Sequence, residues 1–212
     1  MRLFMFEHCS LCFRVRMMAA FKGQHLHETV VLDDDSPTMV DLVGRRVIPI
    51  LVKDDGEPML ESMDMVDYID SQGEPILNGT ERQEVAACAQ AILDTSPPLT
   101  MPRYPLLNLP EFATVAARDH YTIRKQKVYG DFVALRARTR EQIGALMPHL
   151  EYLDSLIQSP TAINGTLSRD DIRILPLLRS VAVVEGLSFP NLTRDYFETM
   201  LDRTGYPPLP RI

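Results

Sequence analysis

Over the first seventy-five residues, apolar positions come in short blocks separated by polar breaks. Leu3-Phe4-Met5-Phe6 is an unbroken apolar run, and 2–6 reads as a short buried strand. A helix follows over 13–22, with Val15, Met18, Ala19 and Lys22 at helical spacing, and Gly23 closes it. Residues 27–32 are rich in β-branched side chains and predict a second strand. Asp33-Asp34-Asp35-Ser36-Pro37 is a loop and helix start, because an acidic first turn and an early proline suit a helix N-terminus. That helix covers 38–43 and ends at Gly44. A third strand spans 47–52 around Pro49, Asp54-Asp55-Gly56 is a turn, and Met59-Leu60 begins a fourth strand. Ser62 reads as the N-cap of a helix to about residue 71, with Asp64 in its first turn. The order is β-α-β-α-β-β-α, which predicts a four-stranded mixed sheet with helices on its faces.

After residue 73 the strand pattern stops. Gly73-Glu74-Pro75 and Asn78-Gly79 break the chain, and an alanine-rich helix covers 84–94. Residues 96–110 are proline-rich and read as an irregular connection, followed by a long helical stretch over 111–129. In 139–158, Ile143, Leu146, Met147, Leu150, Leu153 and Ile157 form one apolar stripe, and Pro148 within it predicts a kink. Ser168 with Asp171 three residues on resembles a capping box, with Asp in place of the usual Glu, and Leu167 with Ile172 would form a hydrophobic staple, for a helix running to about 185. A last helix covers 192–203. The expected organisation is a small α/β domain over 1–73, a linker over 74–83 and an all-helical domain over 84–212.

Composition narrows the class. The 212 residues are 45% hydrophobic and 24% charged, as in an ordinary soluble globule. A net charge of −7 argues against nucleic acid as the main partner. No apolar run approaches the ~20 residues of a membrane span. The N-terminus is too short and too soon acidic for a signal peptide, which makes the reducing cytoplasm the expected compartment.

Three cysteines are too few for a disulfide scaffold. Two of them, Cys9 and Cys12, form C-x-x-C between a strand and a helix, the context in which such a pair does thiol–disulfide chemistry. Cys9 falls just before the helix, where the dipole and free N–H groups favour a thiolate, so it is the expected nucleophile. Cys12 lies a turn further in and would resolve a mixed disulfide by attacking the Cys9 sulfur. Half of a zinc site is the alternative, with His8, His25 and His27 as further ligands, but no second ligand pair at zinc spacing exists. Cys88 lies on an apolar helix face and reads as a buried, inert thiol. His8 either tunes Cys9 or caps the helix, and Arg14 and Arg16 add charge nearby but are expected to point elsewhere.

In this order of elements the first unit resembles a thioredoxin-fold domain of the glutaredoxin kind, and the helical unit with its Gly-x-Leu-Ser-x-x-Asp stretch resembles the C-terminal half of a glutathione transferase. The combination is similar to the large two-domain bacterial glutaredoxins. The resemblance is carried by His8-Cys9-x-x-Cys12, 47–51, Glu61-Ser62-Met63-Asp64, 99–103 and 164–179. Between the cysteines that family has Pro-Tyr, where this chain has Ser10-Leu11.

The resemblance implies a glutathione-dependent disulfide oxidoreductase. Its substrates would be protein disulfides and glutathionylated proteins, its reductant glutathione, and it would use no metal. It implies that Pro49 is cis and faces the cysteines, leaving the Ile48 N–H and C=O to pair with a peptide-like substrate. Glu61-Ser62 would hold the γ-glutamyl end of glutathione, the serine and helix N–H groups taking the carboxylate and Glu61 the ammonium; a plain cap and a solvated Glu61 is the alternative. Arg45 or Arg46 would meet the glycyl carboxylate. A monomer is expected. Two rival functions remain at this point: a glutathione transferase that conjugates electrophiles, with Ser10 as a conceivable activator, and a non-enzymatic binding module of transferase build.

Overall fold

The computed structural model describes all 212 residues. Its sheet has four strands, β1 (Arg2–Met5), β2 (His27–Val30), β3 (Ile50–Val52) and β4 (Pro58–Met59), in the order β2-β1-β3-β4. β1 runs parallel to β2, with Arg2 opposite His27, and antiparallel to β3, with Phe4 opposite Ile50. Helices α1 (Ser10–Phe21) and α3 (Ser62–Asp70) pack together, and α2 (Ser36–Val43) covers the other face. This explains the unbroken apolar run at the N-terminus. Leu3 and Met5 point into the main core with α1, whereas Phe4 and Phe6 join Val31, Met39 and Ile50 beneath α2.

Seven helices follow: α4 (Gln83–Thr95), α5 (Pro97–Thr100), α6 (Val115–Tyr129), α7 (Phe132–Ala137), α8 (Thr139–Leu156), α9 (Arg169–Val181) and α10 (Asn191–Thr204). α1 packs on α9 and α10 as well as on α3, so helices flank it on both sides. Its buried residues include Phe13, Val15, Met17 and Met18 and also Arg16, whose guanidinium is satisfied by Glu7 at 2.8 Å and Glu28 at 3.1 Å. The main core therefore runs without interruption from the sheet into the helical half.

The connection from α3 to α4 is tied to both halves. The Asp70 carboxylate accepts the N–H groups of Ile76 and Leu77, and the Gly79 N–H donates to the Leu167 carbonyl at 2.8 Å. A Cβ on Gly79 would stand 2.3 Å from the Thr166 oxygen, so only glycine fits. The box at α9 is present: Asp171 accepts the N–H of Ser168 at 2.8 Å, and also the Ile163 N–H at 2.8 Å and the Tyr196 hydroxyl at 3.0 Å.

Several local expectations differ from the structure. β3 begins at Ile50, past Pro49, and α1 begins at Ser10. The N-cap of α3 is Glu61 rather than Ser62, which is the first helical residue, and the Glu61 side chain makes no capping bond. The proline-rich stretch is not irregular: α5 and two 3₁₀ turns, Tyr104–Leu106 and Pro110–Phe112, occupy it, because proline at a first helical position needs no N–H partner. The helix expected from 111 starts at Val115, capped by Thr114, and α7 is an element the periodicity did not reveal. α8 runs unbroken through Pro148. No helix is long and apolar enough to cross a membrane, and no three His, Cys, Asp or Glu side chains group as a metal site.

Candidate active site

Cys9 is the N-cap of α1, in extended backbone, and its sulfur accepts the Cys12 N–H at 3.4 Å. The cap position that serine or aspartate usually fills is here taken by a thiolate acceptor. Cys9 is partly exposed and Cys12 wholly buried. The thiol of Cys12, donating to the Cys9 sulfur, is the largest influence on Cys9; burial opposes it, and His8 and the N–H groups of Cys12 and Leu11 add to it, bringing the Cys9 pKa down to about 6. Cys12 moves the other way, well above the ordinary thiol value, through burial and then its bond to Cys9. One sulfur is thus an accessible thiolate and its neighbour an enclosed thiol.

The Cys9 sulfur opens on a cleft of about 460 Å³ between the two halves. From the α/β half it is lined by Ser10, Leu11, Arg46 and Ile48, and from the helical half by Tyr104, Tyr121 and Lys125 among others. The Ile48–Pro49 peptide is cis, and no hydrogen bond within the chain uses the Ile48 N–H or C=O. Of the two candidate arginines, Arg46 reaches the cleft, where Nη2 donates to the Asp33 carbonyl at 2.7 Å, while Arg45 is exposed. Asp33 is wholly buried and ties the halves together, its carboxylate lying 2.8 Å from His120 Nδ1 and 3.1 Å from Arg124. Lys125 has no carboxylate partner; its ammonium stands 5.9 Å from the rings of Tyr121 and Tyr129.

Glu61 and Ser62 do not line this cleft. They lie beyond α1, where Arg14 Nη1 donates to Ser62 Oγ at 3.4 Å. Arg14 forms no ion pair and its Nε is buried without a partner. It lines a second cavity of about 280 Å³ that shares Leu93 and Leu177 with the Cys9 cleft. Arg16 is paired with Glu7 and Glu28 and its charge reaches Cys12, whereas Arg14 has no carboxylate partner and lies within the field of Cys9. Cys88 is buried, donates to the His149 carbonyl at 3.3 Å, and is pushed up to about 11 by burial.

The sequence reading missed Tyr104, Glu111, Tyr121 and Lys125. Each lies about a hundred residues from Cys9 and in a stretch with no strand signal, so spacing carried no information. Tyr104 and Glu111 in the proline-rich stretch, and Tyr121 and Lys125 on the helix after it, could only be tied to the site by the fold.

Comparison with known proteins agrees with this geometry. Residues 84–210 match the glutaredoxin 2 C-terminal domain family, and residues 3–76 the glutathione S-transferase N-terminal domain family. Glutaredoxin 2 of Escherichia coli strain K12 is 36% identical over 205 residues, covering 96% of this chain and 95% of that one. The structure of glutaredoxin 2 from Salmonella typhimurium in complex with glutathione superposes with a TM-score of 0.95 at 33% identity, covering 98% of this chain and 96% of that one. A maleylacetoacetate isomerase of Methylobacterium extorquens shares the fold alone, with a TM-score of 0.62 at 17% identity, over 97% and 94% of the two chains. With a C-x-x-C thiolate at the head of α1 and a match over nearly the whole chain, the protein belongs to the glutaredoxin 2 family, the glutathione-dependent thiol oxidoreductases of transferase-like build.

Proposed function

We propose that Cys9 is the nucleophile and Cys12 the resolving thiol in the reduction of protein disulfides and protein–glutathione mixed disulfides. The observation that carries this is the contrast between them: a partly exposed sulfur lowered to about 6 beside a buried thiol raised well above its ordinary value. On a glutathionylated protein, the Cys9 thiolate attacks the glutathione sulfur. The protein thiolate leaves and takes a proton. A second glutathione thiolate then attacks the glutathione sulfur of the Cys9 mixed disulfide, releasing glutathione disulfide and the Cys9 thiolate. On a protein disulfide, Cys9 first forms a mixed disulfide with the protein. Cys12 attacks the Cys9 sulfur and expels the second protein thiol, and two glutathiones reduce the Cys9–Cys12 disulfide. Once Cys9 is bonded it no longer carries the charge that helps keep Cys12 protonated.

Glutathione is read into the groove as an extended tripeptide. Its cysteinyl backbone pairs with Ile48, ahead of Pro49, whose main-chain groups are free. The γ-glutamyl carboxylate goes to Ser62 and the first N–H groups of α3, with Arg14 alongside, and the ammonium to Glu61. The glycyl carboxylate goes to Arg46 and Lys125 at the other end of the cleft. The α/β domain over 1–73 and the helical domain over 84–212, joined by 74–83, thus each contribute to one site. In this role the protein acts as a monomer in the cytoplasm, on disulfide-bearing and glutathionylated proteins.

Two variants test it. Cys12→Ser retains removal of glutathione from a mixed disulfide and loses reduction of protein disulfides, whereas Cys9→Ser loses both. The reverse pattern, or conjugation of an electrophile that survives Cys9→Ser, refutes it and favours a transferase.

A further inference from the structure

We infer that Glu111 of the helical half is a positioning residue for the reaction at Cys9: it clamps His8 beside the reactive sulfur and through that ring favours the Cys9 thiolate. This rests on Cys9 being the nucleophile.

The geometry is specific. Glu111 sits in the 3₁₀ turn Pro110–Phe112, and its Oε1 accepts both the His8 main-chain N–H at 3.0 Å and His8 Nδ1 at 2.6 Å. The turn is itself docked on the α/β half, the Asp33 N–H donating to the Glu111 carbonyl at 3.0 Å. Glu111 is fully buried and its Oε2 has no partner. A buried carboxylate of that kind is costly unless a cation compensates it. Burial pushes the Glu111 carboxyl up, but the bonds and charge of His8 outweigh it and leave the group below its ordinary value, so it is ionised. A carboxylate oxygen can only accept, which places a proton on His8 Nδ1.

No other acid contacts the ring. Phe6, Tyr104, Phe112 and Tyr121 surround it, with centroids between 4.6 and 5.7 Å from that of His8. Burial keeps both tyrosines protonated. His8 is adjacent to Cys9 in the chain, and its charge is among the influences that lower the thiol. Arg14 and Lys125 are the other cations within the field of the sulfur. The helical half therefore does more than wall the cleft: through one carboxylate it sets the electrostatics at a cysteine on the other half.

The sign of the effect distinguishes this role from its rivals. Acting directly, the Glu111 charge would oppose a thiolate, so its removal would lower the Cys9 pKa. Acting through His8, its removal raises it. The test is Glu111→Gln, which keeps the shape and an acceptor for His8, with the Cys9 pKa read from the pH dependence of iodoacetamide alkylation in the full-length reduced protein. The expected result is a rise of roughly one unit, or about a tenfold loss of thiolate at pH 5. In the His8→Asn background the same substitution produces no further rise. A fall or no change in the Cys9 pKa of Glu111→Gln overturns the inference, as does an equal rise with and without His8. Should Glu111→Gln fail to fold, His8→Asn alone decides: the inference requires the same upward shift, and an unmoved midpoint refutes it. Alkylation needs no turnover, so failure here is distinct from failure of the Cys9 assignment, which appears as activity surviving Cys9→Ser.

Discussion

Replacing Cys12 by alanine removes the strongest influence on the Cys9 thiol, and the result depends sharply on pH. The Cys9 thiol is lowered from 9.0 to about 6, with the Cys12 thiol as the first cause. The N–H groups of Cys12 and Leu11 and the charge of His8 remain in the variant. Losing the thiol donor should carry the pKa up about two units, to about 8. At pH 7 the thiolate fraction then falls roughly tenfold, from about 90% to about 9%. The more basic sulfur is also the better nucleophile: at a Brønsted slope of about 0.45, two units return about eightfold. The two effects nearly cancel at pH 7, so a single assay there would miss the change. The profiles separate on either side. At pH 5.5 the variant should be alkylated about tenfold more slowly, and at pH 9 about sevenfold faster. The measurement is the rate of iodoacetamide modification of the Cys9 peptide by mass spectrometry, across pH 5 to 10. Cys88, raised to about 11 and 3% exposed, should stay silent below pH 9. Superimposable profiles for the two proteins would show that the Cys12 thiol does not hold the Cys9 charge.

Other perturbations follow from the same contacts. Cys9 has a lower pKa folded than unfolded, so its ionisation stabilises the reduced fold fully above about pH 8.5 and that contribution is lost as pH falls through about 6. The melting-temperature gap between reduced wild type and Cys9→Ser should therefore widen from pH 5 to pH 8.5, and a constant gap contradicts the thiolate. Asp171→Ala strips partners from the Ile163 and Ser168 N–H groups and the Tyr196 hydroxyl, and should cost about 3 kcal/mol in urea unfolding with an unchanged m-value. Gly79→Ala drives a methyl into the Thr166 carbonyl and should destabilise by about 2 kcal/mol or more, measured the same way. Lys125→Ala should raise KM for glutathione several-fold while leaving the Cys9 alkylation profile within about half a unit, since a half-buried cation on a cleft wall contributes about 1 kcal/mol to an anion; an unchanged KM removes Lys125 from the glycyl end.

Much of the chain could be read without its structure, for reasons that are local. The apolar run at 3–6, the β-branched stretch at 27–32 and the stop at Gly44 sit in elements whose period and caps are set by neighbours a few residues away, and the β-α-β-α-β-β-α order followed. The capping box at Ser168 and Asp171 is likewise a contact between residues three apart. Cys9-Ser10-Leu11-Cys12 announced its chemistry because a helix N-terminus and a two-residue spacing suffice to bring two sulfurs together. The proline-rich stretch defeated the same reasoning: proline both ends helices and begins them, and only packing decides which.

What the tertiary structure decided was everything that couples the halves. Sequence pattern treats Arg14 as one more basic residue on a helix, yet burial beside Ser62 leaves it without a carboxylate and near the site. It offers Arg45 and Arg46 equally, and the Asp33 carbonyl selects Arg46. It gives no reason to pair His8 with Glu111, which are 103 positions apart and 2.6 Å distant. Local sequence fixes φ, ψ and the side-chain period, and so the elements and the dithiol. The groups that surround the dithiol come largely from chain segments that meet only when the common core closes, where burial makes a carboxylate such as Glu111 costly to leave without a partner.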